Sequence, residues 1–235
     1  MTNDPPRLEK PFYIRAMFAR IAPRYELMNH VMTAGQDVFW RREVIKRAGL
    51  LPGGHLLDLG TGTGDLAREA LRQQPECAIL AADFTLEMMR TGQTHTPPGP
   101  NWVAADSLCL PLPTAKFDAV VSGFLLRNVA NLPLALGEQF RVLKPGGRLV
   151  ALDTTRPHSR SLLTPLIRLH MRFVIPLLGA VITGQSDAYR YLPTSSENFC
   201  TAETLAAELQ AAGFKQVGFQ RHMFGTIAIH WGCKP

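Results

Sequence analysis

The sequence predicts an α/β fold with a doubly wound, Rossmann-like sheet of five parallel strands and a C-terminal antiparallel hairpin. The first observation is an apolar run, 55–59, that leads through a glycine-rich turn into a helical segment. The second is that four more apolar runs of strand length follow, as in a succession of βα units. The third is a pair of strands near the end of the chain, separated by 221–225. This connection is too short for a crossover helix, so the two strands are expected to pair antiparallel.

The individual elements follow from the spacing of the apolar residues. The five parallel strands are predicted at 55–59, 78–82, 101–105, 117–123 and 148–153, and the hairpin strands at 214–220 and 226–231. The fourth strand is apolar along most of its length, which is typical of parallel strands covered on both faces. Helical periodicity predicts helices at 66–71 and 133–143, and the Lys-Pro-Gly-Gly sequence at 144–147 ends the second of them.

Two segments fall outside this alternation of strands and helices. Residues 1–50 form a predicted N-terminal helical arm, with a break between two helices at Pro23. Its apolar stripe consists of Ile14, Met17, Phe18, Ile21 and Tyr25. Residues 156–190 form a predicted helical insert. No repeat, low-complexity tract or linker divides the 235 residues, so a single domain over 1–235 is expected.

The positive charge of the chain is concentrated in the arm and the insert. Residues 1–50 hold nine Lys and Arg against five Asp and Glu, and residues 156–190 hold five against one, so each segment carries +4 of a total of +6. A basic, apolar-rich surface suits RNA, a lipid interface at which it would lie peripherally, or ordinary packing on the sheet. The uninterrupted apolar run after Arg172 is about half of the ~20 residues that a spanning helix needs.

The cysteines and the N-terminal residues indicate the cellular compartment of the protein. Four scattered cysteines fit neither a disulfide framework nor a zinc site, and no metal centre is expected. They are Cys77, Cys109, Cys200 and Cys233. The first six residues lack the apolar core of a signal peptide, so a cytoplasmic location is expected.

The glycine-rich turn predicts an adenosine-type cofactor. Its glycines, Gly60, Gly62 and Gly64, open onto a helix N-terminus, where backbone comes close to a bound nucleotide. Asp83 follows the second strand, where a carboxylate can accept both hydroxyls of a ribose. The G-x-G-x-G spacing differs from the dinucleotide fingerprint, and Asp58 and Asp65 bracket the turn.

Two carboxylates disfavour a phosphate at this turn and favour a cation. S-adenosylmethionine, which has a ribose and an adenine, a sulfonium and an ammonium but no phosphate, is the cofactor that fits. A carboxylate at Asp106, beside Ser107 after the third strand, can take the adenine amino group. A tight βα turn in another doubly wound domain is the alternative. Five parallel strands with a terminal hairpin resemble the class I S-adenosylmethionine-dependent methyltransferase fold.

The segment after the fourth strand is similar to a family signature. Phe124–Val129 reads F-L-L-R-N-V and resembles the F-G-L-R-N-V signature of the ubiquinone/menaquinone biosynthesis C-methyltransferase family. Further segments that resemble this family are 18–29, 40–42, 141–149, 189–193, 212–214 and 229–234. The resemblance implies methylation of a ring carbon of a prenylated quinol, giving menaquinone or a ubiquinone precursor.

The resemblance also implies roles for particular residues. The resemblance places Thr63, Asp83, Asp106 and Ser107 at the cofactor, with Gly123 near it. The remaining candidate cofactor-binding residues are Gly60, Gly62, Gly64 and Ser122. Some members of the family have serine at the position of Gly123, so a side-chain contact is lost there. The family usually has glycine at the position of Leu125, and the larger side chain is expected to narrow the pocket floor.

The candidate catalytic residues are Arg127, Asn128 and Tyr25. A quinol carbon becomes nucleophilic when an adjacent hydroxyl, with a pKa near 10, loses its proton. Guanidinium does not accept this proton, so we expect Arg127 to lower the pKa of the hydroxyl while water takes the proton. Asn128 and Tyr25 are expected to hydrogen-bond the same group. Each residue also has an alternative, structural role. Arg127 can form a salt bridge, Asn128 can cap a helix, and Tyr25 can be a core aromatic residue. His170 and Asp153 are alternatives for the base.

Other functions are less well supported by the sequence. A D/N-P-P-Y/F tetrapeptide and a Pro-Cys nucleophile, typical of nucleic-acid methyltransferases, are both missing, so nucleic acid is not an expected partner. A benzoquinol or another hydrophobic small molecule is an alternative acceptor. A non-enzymatic assembly protein is a further alternative, which the retained Arg127-Asn128 pair disfavours. The sequence leaves the oligomeric state open.

Overall fold

A computed structural model describes residues 10–95, 99–156, 182, 191, 195–196 and 198–235 of the chain. Its strands are β1 (His55–Leu59), β2 (Ala78–Asp83), β3 (Asn101–Ala104), β4 (Phe117–Gly123), β5 (Leu143–Thr154), β6 (Lys215–His222) and β7 (Ile227–Cys233). Its described helices are α1 (Lys10–Ile21), α2 (Tyr25–Met32), α3 (Gln36–Ala48), α4 (Asp65–Gln73), α5 (Leu86–Thr94), α6 (Leu132–Val142) and α7 (Ala202–Ala211), with short 3₁₀ turns at Ala22–Arg24 and Met223–Gly225.

The strands form one seven-stranded sheet in the order β3-β2-β1-β4-β5-β7-β6. The first five strands are parallel, whereas β7 is antiparallel to both β5 and β6. The five parallel strands and the terminal hairpin predicted from the sequence are therefore confirmed. The order reverses between β1 and β4, and a ligand cleft is expected at such a switch point, outside the carboxyl ends of the strands.

β5 begins earlier than the sequence pattern indicates. Phe117 of β4 pairs with Leu143, and the next pair is Ala119 with Arg148, so residues 144–147 form a bulge inside β5. The predicted break at this position is thus an irregularity of the strand, because Lys-Pro-Gly-Gly interrupts the ladder without ending the pairing. The ammonium of Lys144 is bound by both carboxylate oxygens of Asp118, at 2.8 Å each.

Buried side chains cover both faces of the sheet. On one face, α3 and α4 contribute Trp40, Val44 and Leu66 to a core cluster that includes residues of β1, β4 and β5. On the other face, α6 and α7 pack Leu136 and Leu205 against the same strands. Strands enclosed in this way are apolar on both faces, which explains the continuous apolar runs in the sequence.

The helical arm packs as a third cluster. The Pro23 break is observed as the 3₁₀ turn between α1 and α2. Ile14, Met17 and Ile21 of the predicted stripe are buried with Met28, whereas Phe18 and Tyr25 are partly exposed at its edge. Of the predicted insert, 156–190, two residues are described, so this prediction lies outside the described part of the chain.

Candidate cofactor and acceptor site

A cleft made of three adjoining cavities opens at the carboxyl ends of β1, β2 and β4. Gly60 lines all three cavities, which we name after one lining residue each. They are the Asp106 cavity, the Phe18 cavity and the Asp58 cavity. Ile14 and Phe84 line both of the first two, and Tyr25 lines the Phe18 and Asp58 cavities. The arm therefore forms one wall of the cleft and the strand ends form its floor.

The glycine-rich turn is folded by backbone hydrogen bonds to β2. The N–H groups of Gly60 and Thr61 both donate to the carbonyl of Ala82, at 2.8 and 3.0 Å. Gly64 has a φ of +88°, and a Cβ there would come within 2.6 Å of the Trp102 ring. Only glycine fits this position. Gly64 thus shapes the turn, while Gly60 and Gly62 line the cleft.

Asp83 fixes the turn and faces the cleft. One carboxylate oxygen accepts the N–H of Gly62 at 2.8 Å, and the other accepts that of Thr85 at 2.7 Å. The residue is 8% exposed and lines the Asp106 and Phe18 cavities. Burial raises the pKa of its carboxyl. Because this carboxylate faces the cleft at the carboxyl end of β2, it is positioned to accept ribose hydroxyls.

Asp58 is a buried carboxylate in the floor of the Asp58 cavity. Its Oδ2 accepts the Thr61 hydroxyl at 2.5 Å and the Ala67 N–H at 3.1 Å. Its Oδ1 is buried and has no hydrogen-bond partner within the described residues. Burial raises the pKa of Asp58 to about 7, although these two hydrogen bonds oppose the increase. A cation in the cavity would favour the ionised form, and the site therefore fits the charged end of S-adenosylmethionine.

Asp65, the second carboxylate of the turn, is already paired. Its Oδ2 lies 2.7 Å from Arg41, and its Oδ1 contacts Arg68. Arg41 also bonds Asp37 at 3.0 Å, and Arg68 bonds Glu26 at 2.6 Å. These ion pairs tie the arm to α4. Asp65 lines the Asp58 cavity together with Asp58, and its ion pairs also hold the arm in place.

The remaining cofactor candidates divide between the cleft and the interior. Asp106 and Ser107 line the Asp106 cavity with Phe84, and the Oδ1 of Asp106 also accepts the Leu108 N–H at 2.9 Å. Gly123 lines the Phe18 and Asp58 cavities. Thr63 and Ser122 are each 1% exposed and line none of the three cavities.

Of the three catalytic candidates, Asn128 and Tyr25 line the cleft, whereas Arg127 lines none of the three cavities. Arg127 is buried, and its Nη1 donates to Oδ1 of Asp153 at 2.7 Å, so the salt-bridge alternative is observed. Asn128 lines two cavities, donates to the Phe124 carbonyl at 2.9 Å and accepts from the Tyr191 hydroxyl at 3.3 Å. Burial raises the pKa of Tyr25, so its phenol stays protonated. His170 lies outside the described residues.

Sequence reasoning missed several residues of the cleft. Asn29 follows Tyr25 by four residues, hence on the same face of α2, and a hydrogen bond joins the two side chains. Helical spacing was the available signal for Asn29. Arg41 lines the Asp58 cavity and lies in the 40–42 segment that resembles the family, but that segment was not assigned a role. Phe84 lines two cavities, and no motif identified it.

The sheet order, the glycine-rich turn and the carboxylates at Asp58 and Asp83 define a class I S-adenosylmethionine-dependent methyltransferase. The chain belongs to the ubiE/COQ5 methyltransferase family, whose model matches residues 8–234. The fold is similar to that of a methyltransferase from Thermotoga maritima, with a TM-score of 0.65, 19% identity and coverage of 94% of this chain and 99% of that one. It is also similar to the cyclase SpnF, with a TM-score of 0.70, 17% identity and coverage of 94% and 95%.

Curated relatives resemble the chain over nearly its whole length. A protein of Desulfotalea psychrophila named ubiquinone/menaquinone biosynthesis C-methyltransferase UbiE is 44% identical over 222 residues, 94% of this chain and 90% of that protein. A demethylmenaquinone methyltransferase of Thermus thermophilus is 40% identical, covering 93% of this chain and 100% of the relative. A protein of the same name from Deinococcus radiodurans is 38% identical, covering 99% and 98%.

Proposed function

We propose that this methyltransferase transfers a methyl group from S-adenosylmethionine to a ring carbon of demethylmenaquinol, producing menaquinol. The observation that carries the proposal is the Phe18 cavity, which has apolar walls from Ile14, Phe18 and Leu125 and adjoins the carboxylate of Asp83. An apolar space beside a polar cofactor site suits an acceptor with a prenyl tail. The names of the Thermus and Deinococcus relatives support a naphthoquinol acceptor.

The binding residues divide between the ends of the cofactor. Asp83 would accept the ribose hydroxyls, Asp106 and Ser107 would hold the adenine, and Asp58 would hold the ammonium. When bound, the cofactor supplies an electrophilic methyl group on its sulfonium. Tyr25 and Gly123 line the part of the cleft next to these anchors and would lie near the reacting end of the cofactor.

The catalytic residues act on the acceptor. The pKa of a phenolic hydroxyl is near 10 in water, so at neutral pH the quinol needs help to ionise. The Arg127 cation lowers the pKa of that hydroxyl, Asn128 and Tyr25 hydrogen-bond the oxygen, and water takes the proton. In the net reaction a ring C–H becomes a C–CH₃ and one proton is released. Alignment and the exclusion of water from the cleft provide much of the remaining acceleration.

Transfer of labelled methyl from S-adenosylmethionine to chemically reduced demethylmenaquinol tests the proposal. Two comparison reactions are run alongside, one with a prenylated methoxy-benzoquinol and one without an acceptor. We expect label in the menaquinol product. Label in both quinol products would mean one enzyme for two pathways, which the printed name of the Desulfotalea relative favours. No label in either quinol, with cofactor binding confirmed by calorimetry, would reject the quinol acceptor.

We further propose that the arm contacts a membrane surface that holds the prenylated quinol. Phe12, Leu27 and Val31 are exposed on α1 and α2, beside the exposed guanidinium-bearing residues Arg15 and Arg24. Residues 10–35 contain one acidic residue, and it is paired with Arg68. Apolar anchors with basic side chains suit an anionic lipid interface. No helix among the described residues has the length and hydrophobicity to cross a bilayer.

Flotation with vesicles tests this contact. The protein should float with phosphatidylglycerol vesicles and stay behind with phosphatidylcholine vesicles. Phe12→Ser with Leu27→Ser should weaken the binding at least tenfold. Leu51→Ser is the matched control, because Leu51 is 75% exposed and precedes the amino end of β1, whereas the cleft lies at the carboxyl ends of the strands. Equal binding of the double variant, or no flotation of the wild type, would refute the contact.

A further inference from the structure

The carboxylate of Asp153 accepts two hydrogen bonds from Arg127. It stands near the carboxyl end of β5 and is completely buried. Its Oδ1 accepts Nη1 of Arg127 at 2.7 Å, and its Oδ2 accepts the backbone N–H of Arg127 at 3.2 Å. One carboxylate therefore fixes both the backbone and the guanidinium of the residue that the proposed chemistry needs most.

The carboxylate itself is held firmly. The N–H of Thr154 donates to Oδ1 at 2.8 Å, and β5 is paired on both sides, with Asp153 opposite Ala228 of β7. Arg127 gains a further support from the Phe124 ring, whose centroid lies 5.0 Å from the guanidinium carbon. A free arginine side chain has many rotamers, and these contacts select one of them.

We propose that Asp153 is a positioning residue, which aims the Arg127 guanidinium at the acceptor hydroxyl and does not take the proton itself. This inference rests on the proposed function of Arg127. Asp153 is completely buried and lines none of the three cavities. Arg127 lines none of them either, but its charge acts on the Tyr25 phenol, which lines two of them, so Arg127 is the member of the pair nearer the acceptor. Its effect on the reaction therefore passes through Arg127, and removing Asp153 displaces the cation without removing it.

Steady-state kinetics of Asp153→Asn with demethylmenaquinol, from pH 7 to pH 10, test the proposal. We expect kcat at pH 7 to fall about 100-fold, the scale of a 1 Å misplacement, while the Kd of S-adenosylmethionine changes less than about twofold. Near pH 10 the loss should shrink to less than about tenfold, because half of the quinol then ionises without assistance. A loss that is the same at every pH would mark a purely structural role and overturn the proposal.

Two more variants and a control complete the test. Asp153→Glu keeps the charge and guards against a folding defect, and it should retain more activity than Asp153→Asn. The double variant Arg127→Ala with Asp153→Asn should have a kcat less than about twofold below that of Arg127→Ala alone, because both changes remove the same function. A further large loss in that background would overturn the proposal. Asp118→Asn is the control, since it breaks the ion pair with Lys144 near the amino end of β4.

The results separate this inference from the function on which it rests. A wild type that methylates demethylmenaquinol, with Asp153→Asn equally active, overturns the positioning role alone. A wild type that is inactive on every quinol removes both proposals together. An Arg127→Ala variant with wild-type activity removes the role of Arg127, and the positioning role falls with it.

Discussion

Binding of S-adenosylmethionine should weaken steeply as the pH falls below 7, because Asp58 must lose a proton before it can hold a cation. The pKa of Asp58 is raised from 3.8 to about 7 by burial in the free protein. A bound ammonium stabilises the carboxylate and lowers that pKa again. Binding near neutral pH is therefore coupled to the release of a proton.

The size of the effect follows from the ionised fraction. With a pKa of about 7, roughly three quarters of Asp58 is ionised at pH 7.5 and about 3% at pH 5.5. The Kd should rise about 25-fold between these two values, which corresponds to about 2 kcal/mol. This range keeps the α-ammonium of the cofactor charged, since its pKa is about 8.

Isothermal titration calorimetry in buffers of different ionisation enthalpy measures both the Kd and the number of protons released. About 0.9 proton per bound cofactor is expected at pH 6. The pKa of Asp83 is also raised by burial, so Asp58→Asn is needed to separate the two carboxylates. This variant should bind more weakly at pH 7.5 and lose most of the pH dependence. A Kd that is equal at both pH values in the wild type, or an unchanged pH dependence in Asp58→Asn, would refute the reasoning.

The other predictions concern single residues of the site and its support. Arg127→Ala should lower kcat at least 100-fold and change the Kd of the cofactor less than about twofold, and near-normal turnover would remove Arg127 from the chemistry. Asp83→Ala should weaken cofactor binding by about 1–3 kcal/mol in calorimetry, whereas an unchanged Kd would contradict the ribose assignment. Asp58 binds its proton more tightly in the folded than in the unfolded state, so the free energy of unfolding should decrease as the pH rises from 3.8 to about 7, and Asp58→Asn should recover up to about 4 kcal/mol in urea titrations at pH 8. A variant no more stable than the wild type at pH 8 would speak against that penalty. Gly92→Ala should destabilise the protein by about 3 kcal/mol, because its Cβ would lie 2.3 Å from the Thr63 carbonyl oxygen, whereas Gly137→Ala meets nothing within 4 Å and should gain up to about 1 kcal/mol. Equal melting temperatures for the two glycine variants would contradict this comparison.

The fold could be predicted because its signals are local. Strands buried on both faces have to be apolar, and the turn after β1 needs glycine where a Cβ would strike Trp102. The short connection before β7 already fixes antiparallel pairing. The bulge at 144–147 was not predicted, because its Pro and Gly residues also end helices and strands.

The candidate site could be predicted in part. Asp83 and the glycine-rich turn are close in the cleft because the carboxyl ends of neighbouring parallel strands meet at one edge. The sequence could not predict that Asp58 and Asp65 differ in their ion pairing. Asp65 forms ion pairs with Arg41 and Arg68, which lie on different helices. Within the described part of the chain, Asp58 forms no such ion pair.

The sequence by itself determined the order of strands and helices, the family, and the side chains that follow each strand. These properties depend on the spacing of residues that are close in the sequence, so a single sequence is sufficient to predict them. The tertiary structure decided which of those side chains meet. It paired Arg127 with Asp153 across 26 residues and buried Asp58 until its pKa rose to about 7. Charge pairing and desolvation depend on distances between remote segments, and only the folded chain sets those distances.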